Sequence, residues 1–181
     1  MKWEAVIGLG GNVPSPLGRP QDTLEAAIAL IDEHVGTVVK RSRWYRSKPM
    51  GVTAQPDFVN GAVLIETQQA AKKILLKLKA IESTLGRQKG ERWSARTADL
   101  DLLAYEDQVH PSKEGWHAIL DDPDPAVFIE DPMVPHPRLH LRAFALQPFC
   151  DVWPGWVHPV LQEIPATILQ RIPQSDLAEL I

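Results

Sequence analysis

One cysteine, two tyrosines and no apolar run long enough to cross a bilayer set the first limits on this chain. The lone cysteine, Cys150, excludes an intramolecular disulfide and points to a reducing setting, the cytoplasm. No nucleophile motif surrounds it, so it reads as a small buried residue. Positive charge is also scarce. Nineteen Lys and Arg against 23 Asp and Glu leave a formal net charge of −4, which argues against general nucleic-acid binding while leaving a local basic patch open. The opening "MKWEAVIGLGGN" carries Glu4 and only a brief apolar run, so it reads as a first strand rather than a secretory signal. Its glycine turn lacks a third glycine, Val13 standing in that place, and no acidic partner follows at the spacing a dinucleotide fingerprint requires.

What is present describes an ordinary globular chain. With 181 residues, 44% apolar and 23% charged, residues 1–181 are expected to form one domain, with a core over about 1–150 and a C-terminal extension over 151–181. Trp3 to Leu9 forms a strand. A helix follows over 21–36, with Leu24, Ile28, Ile31 and Val35 at helical spacing, Asp22 as N-cap and Gly36 as stop. Strands are expected over 37–47 and 57–67. In the second of these, Val59, Val63 and Ile65 lie on one face and Phe58, Asn60, Ala62 and Leu64 on the other. A helix over 69–85 presents Ala71, Ile74, Leu75, Leu78, Ile81 and Leu85 as one stripe, and a last strand runs from Thr97 to Tyr105.

The order β-α-β-β-α-β is that of a ferredoxin-like α+β sandwich, an antiparallel sheet with helices on one face and the other free for a site. Eleven of the 16 prolines lie beyond residue 110, which predicts an irregular proline-rich C-terminal extension. Short helices are expected near "LRAFALQPF" and, last, near "SDLAELI".

Chemistry concentrates in "ERWSARTADLDLLAY" (91–105). Strand alternation puts Leu100, Leu102 and Ala104 on one side, and Asp99, Asp101, Leu103 and Tyr105 on the other. Two carboxylates about 7 Å apart along a strand repel each other and resist burial. They therefore imply a positive partner. That partner is either Mg²⁺, which takes one or two carboxylates together with substrate phosphates, or a structural ion network with Arg92 and Arg96. Arg87, Lys89, Arg92 and Arg96 fall within ten residues, a density suited to a polyphosphate–Mg²⁺ complex. Phe58 and Asn60 offer a stacking ring and an amide for a planar heterocycle, or simply a core ring and a turn residue. Pro137 directly after His136 argues against a His136–His140 metal pair on a helix.

The stretches "IGLGGN", "YRSKPMGVTAQPDFVNGAV", "IESTLGRQKGERWSARTADLDLLAY" and "VPHPRLHLRAFALQPF", in this order over about residues 5–150, resemble the 6-hydroxymethyl-7,8-dihydropterin pyrophosphokinase family. The resemblance implies diphosphate transfer from ATP to a pterin alcohol in folate biosynthesis. It implies two Mg²⁺ ions on Asp99 and Asp101. Catalysis would involve Arg87, Arg96, Asp99 and Asp101, with ATP contacts from Glu82, Arg87, Lys89, Arg92, Trp93, Arg96, His136 and Arg142. The pterin slot would comprise Ser47, Met50, Phe58, Asn60 and Phe144. Substrates would be ATP and the pterin, with no nucleic acid, no membrane and a monomeric chain. The stretch 106–132 is longer and more acidic than in compact family members. Alternatives are a catalytically weak paralogue, or a ferredoxin-like module that binds nucleotide or RNA without chemistry.

Overall fold

The computed structural model describes residues 1–49, 54–86, 95–121 and 132–181. β1 (Trp3–Gly11) and β4 (Phe58–Thr67) form the centre of an antiparallel sheet, paired along their whole lengths from Trp3 opposite Thr67 to Gly11 opposite Val59. β5 (Asp99–Tyr105) flanks β1, while β2 (Thr37–Arg41) and β3 (Tyr45–Ser47) pair in turn along β4. This is the strand order expected of the ferredoxin-like pattern. The single strand expected over 37–47 is broken. At the break the Ser42 hydroxyl accepts the Ala62 N–H (2.8 Å) and the Ser42 N–H donates to the Ala62 carbonyl (2.9 Å).

α1 (Pro20–His34) and α2 (Ala71–Thr84) cover one face. Ile7, Leu9, Val63, Ile65, Leu100 and Leu102 from the strands meet Leu24, Ile28, Ile31, Ile74, Leu78 and Ile81 from the helices in one buried cluster. The apolar stripes of both helices are thus the ones their periodicity predicts, except that Leu75 is only half-buried. The N-terminus of α1 differs. Arg19, not Asp22, is the cap residue, and Asp22 sits in the first turn, where its carboxylate accepts the Arg19 backbone N–H (2.9 Å).

The opposite face is not bare. α4 (Ala143–Val152), in the place expected of a short helix, and α5 (Pro165–Leu169) pack Leu146, Phe149, Val152 and Ile168, with Trp156 from the segment between them, onto Val6, Ala62, Leu64, Leu103 and Ala104. The expectation of helices on one face alone is corrected accordingly. Only the half of this face near Phe58, Asn60, Asp99 and Asp101 stays open as a cleft.

Strict alternation also fails in β5. Val6 pairs with Ala104 but Ile7 with Leu102, so Leu103 is an extra residue, a β-bulge. Leu103 and Ala104 therefore both face α4, and Tyr105 turns to the helical side, where its hydroxyl donates to the Gln69 carbonyl (3.1 Å).

Two further elements depart from expectation. α3 (Lys113–Asp121) forms within the stretch after β5, where no helix was expected. The Ser112 hydroxyl accepts the Gly115 N–H (3.1 Å) at its start, and Trp116, Ile119 and Met133 build a small third core there. The helix expected over "SDLAELI" is instead a 3₁₀ turn at Gln174–Asp176 followed by β6 (Glu179–Leu180) on the edge of β3. Gln147 brackets Ala178, accepting its N–H (2.7 Å) and donating to its carbonyl (3.1 Å), and so holds that segment extended.

Candidate active site

β4 and β5 each turn alternate side chains into the open half of the second face. The result is a cleft of about 270 Å³ floored by Gly8 and Gly10 of β1, with Phe58, Asn60, Asp99 and Asp101 rising from the strands beside it. The segment after residue 131 closes it with His136 and Leu139, and the start of α4 adds Arg142 and Phe144. A second cavity of about 290 Å³ lies between α2 and this later segment, lined by Leu75, Lys79, Glu82 and Met133. The two cavities share Arg96, Asp99, Asp101 and His136.

The shared wall is electrostatically specific. Arg96 Nη1 donates to Asp99 Oδ1 at 2.6 Å, both side chains about a quarter exposed, so the ion-network reading holds for Asp99. It does not hold for Asp101, which has no hydrogen-bond or ion-pair partner among the described residues although it points the same way. An acceptor-only carboxylate beside a second carboxylate, in a cleft, is a hard-oxygen donor set suited to Mg²⁺ completed by phosphate oxygens. The residues fit the ion. Glu82 is buried and accepts the Leu100 backbone N–H (2.7 Å), which pins α2 to β5 between the two aspartates.

His136 is half-buried between the cavities. Desolvation, then the nearby Arg142 cation, push its pKa down to about 3, so it is neutral at physiological pH. Its Nδ1 accepts the Arg138 N–H (3.1 Å), which leaves the ring proton on Nε2 as a donor. Arg142 caps α4 and stacks over the Phe144 ring at 5.9 Å from its centroid.

On the other side Asn60 is buried, and its Nδ2 donates to Ser47 Oγ (2.9 Å) and, more weakly, to the Tyr45 carbonyl (3.4 Å). Its Oδ1 lies next to Gly10. Ser47, Phe58, Asn60 and Phe144, four of the five residues the resemblance implies for the pterin slot, line one cleft. Met50, Arg87, Lys89, Arg92 and Trp93 lie outside the described residues. Cys150 is half-buried on α4, away from the cleft lining, and burial pushes its thiol up to about 11, in keeping with an inert residue.

Comparison with known proteins settles the family. A family profile described as "7,8-dihydro-6-hydroxymethylpterin-pyrophosphokinase (HPPK)" matches residues 6–154. The chain belongs to this family. A Synechocystis sp. protein named 2-amino-4-hydroxy-6-hydroxymethyldihydropteridine pyrophosphokinase is 36% identical over 174 residues, which are 95% of this chain and 76% of that one. A Haemophilus influenzae protein of the same name is 32% identical, over 92% of this chain and 91% of that one. In shape the chain is similar to a crystal structure of Plasmodium falciparum HPPK-DHPS, with a TM-score of 0.67 at 14% identity. That match takes in all of this chain and spans about half of the Plasmodium chain, 50% of its length, and it speaks for the fold alone.

Three residues of this pyrophosphokinase-family site escape a sequence reading. Lys48, exposed on the loop after β3, lines the first cavity. Asn12, buried at the end of β1, joins three segments. Its Oδ1 accepts the Arg96 N–H (2.9 Å), and its Nδ2 donates to Gln55 Oε1 and the Pro56 carbonyl (3.1 Å each). Gly11 beside it admits the Thr97 carbonyl, which would lie 2.6 Å from a Cβ at that position. The signal was present in the glycine turn "GLGGN" followed by asparagine. Neither the dinucleotide pattern it lacks nor the family resemblance it shares assigns its last residues to holding the arginine.

Proposed function

We propose that this chain transfers diphosphate from ATP to the hydroxymethyl group of 6-hydroxymethyl-7,8-dihydropterin, giving AMP and the pterin diphosphate in folate biosynthesis. The observation that carries it is the pair of cavities sharing one wall of Arg96, Asp99, Asp101 and His136. One cavity has the aromatic and amide groups a pterin needs, the other the space beside the carboxylates that a nucleotide needs.

In this reading the pterin lies against Phe58 and Phe144, with Asn60 at its polar edge. ATP occupies the second cavity with its phosphates toward the shared wall. Asp99 and Asp101 would hold two Mg²⁺ ions, which when bound neutralise and polarise the phosphate oxygens. Arg96, kept in place by Asn12 and Asp99, and His136 Nε2 donate toward charge that grows on the transferred group. Arg87, Lys89, Arg92 and Trp93 join them on the nucleotide side, Arg142 reaches the phosphates from the wall of the first cavity rather than from the second, and Ser47 and Met50 complete the pterin slot. The pterin hydroxyl oxygen forms a bond to the β-phosphorus as the bond from that phosphorus to the α–β bridging oxygen breaks. AMP departs and the hydroxyl proton passes to solvent. Alignment of the two substrates by the chain supplies much of the rate.

The chain is proposed to act as a monomer in the cytoplasm. No helix among the described residues is long and apolar enough to cross a membrane. AMP release measured with ATP, Mg²⁺ and the pterin tests the proposal. It is expected to require all three and to stop on chelation with EDTA. Release of AMP without the pterin, or none in its presence, refutes the reading. Metal-independent RNA binding would favour the module without chemistry.

A further inference from the structure

Trp116 sits on α3, outside the cleft lining, and is fully buried. Its indole Nε1–H donates to the carbonyl of Pro135 at 2.9 Å, immediately before His136. Backbone bonds hold the segment carrying His136 from two other sides. The His110 N–H donates to the Val134 carbonyl (2.8 Å), and the His136 N–H donates to the Leu103 carbonyl (2.9 Å) on the bulge of β5. Met133, which lines the second cavity, packs in the same small core as Trp116 and Ile119. The Trp116 ring also meets His158 edge-on at 5.0 Å and His140 at 5.6 Å, so α3, the His136 segment and the C-terminal residues converge on one indole.

A buried tryptophan in a core is ordinary. A buried tryptophan whose one polar atom holds the peptide next to a cleft residue is more specific. The peptide between Pro135 and His136 offers one acceptor, the carbonyl of the first, and one donor, the N–H of the second. Trp116 supplies one of those bonds and Leu103 the other.

We infer that Trp116 is a positioning residue for the nucleotide half of the site, acting through the Pro135 carbonyl on His136 and through Met133 on the cavity wall. This rests on the functional reading above. It also gives the long 106–132 stretch a task, to carry a helix that buttresses the nucleotide side. His136 borders both cavities, but Met133 lines the second and not the first, and among the described residues no hydrogen bond joins α3 to Phe58, Asn60 or Phe144, so the loss falls first on the nucleotide side.

The test is Trp116→Phe, which keeps an aromatic ring and removes the N–H donor, beside Ile119→Val, which trims the same core without touching the Pro135 carbonyl. Trp116→Phe is expected to raise the KM for ATP about five-fold or more and to lower kcat as His136 shifts, with the pterin KM within about two-fold of wild type. Ile119→Val is expected to lower Tm while leaving both KM values within about two-fold. If Trp116→Phe leaves the ATP KM unchanged, or raises both KM values alike, or if Ile119→Val raises the ATP KM equally, Trp116 is only a core residue and the inference falls. Should the wild-type chain release no AMP, the functional reading fails instead. Binding of a non-hydrolysable ATP analogue with Mg²⁺ then decides, a weaker Kd in Trp116→Phe alone supporting the inference and equal Kd values overturning it.

Discussion

Replacing Asp101 by Asn should remove activity without harming the fold, because this carboxylate has no protein partner among the described residues. Two residues along a strand place its backbone about 7 Å from that of Asp99. At that distance two unit charges repel by about 0.6 kcal/mol in water and about 2.4 kcal/mol at an effective dielectric of 20. Arg96 already answers the Asp99 charge, which draws the figure toward the lower end. Asp101→Asn is therefore expected to be as stable as wild type or more stable by about 1 kcal/mol, a Tm rise of about 2–4 °C for a chain of this size. Asp99→Asn should move the other way. It loses a 2.6 Å charge-assisted bond from a part-buried guanidinium and should fall by about 1–2 kcal/mol. Both variants should lose about a thousand-fold in pterin-dependent AMP release, since half of the carboxylate pair is gone. Thermal unfolding by circular dichroism beside an AMP-release assay reads both quantities. An Asp101→Asn protein that keeps more than about a tenth of wild-type turnover, or that melts as early as Asp99→Asn, refutes the assignment.

Asn60→Ala breaks the bond to Ser47 and should cost about 1–2 kcal/mol of stability while raising the pterin KM about ten-fold, the ATP KM staying near wild type in steady-state kinetics. Gly11→Ala sets a Cβ against the Thr97 carbonyl, and denaturant unfolding should show a loss of about 1–3 kcal/mol accompanied by weaker activity as the Arg96 backbone shifts. His158 is fully buried, and desolvation, then His140, push its pKa from 6.5 down to about 4. The unfolded chain therefore takes up a proton first on acidification. Stability is complete above about pH 6.5, declines toward pH 4 by up to about 3 kcal/mol, and levels off below. Urea titrations across that range should show the slope, and it should be smaller in His158→Gln.

Faces were easier to read from the sequence than boundaries. Phe58 and Asn60 emerge together in the cleft because β4 runs without interruption against β1, so alternation holds along its length. Asp99 and Asp101 obey the same rule because they precede the bulge, whereas Ala104 and Tyr105 follow it. A bulge is set by the pairing of two strands, and nothing in "DLDLLAY" announces it. α3 did leave a local signal, Ser112 three residues before Gly115, but the density of prolines beyond residue 110 outweighed it. The last seven residues have a helical pattern too short to be stable alone, and backbone bonds to the free edge of β3 together with the Gln147 amide win instead. The site was legible wherever charge was unusual, as at Asp101 and Arg96. It was illegible at Asn12, whose importance lies in three partners distant in sequence.

The supernumerary Leu103 divides its strand into two phases. Ahead of it, odd-numbered positions look into the cleft; behind it, the odd-numbered Tyr105 looks toward the two long helices. A strand that kept all seven residues, Leu103 included, in unbroken register would pleat uniformly. It would then aim a phenol at the α4 layer and leave the Gln69 carbonyl without its donor. Any transplant of the Asp-x-Asp strand into another scaffold must therefore carry this irregularity along, or give up either the acidic pair or the apolar seam behind it.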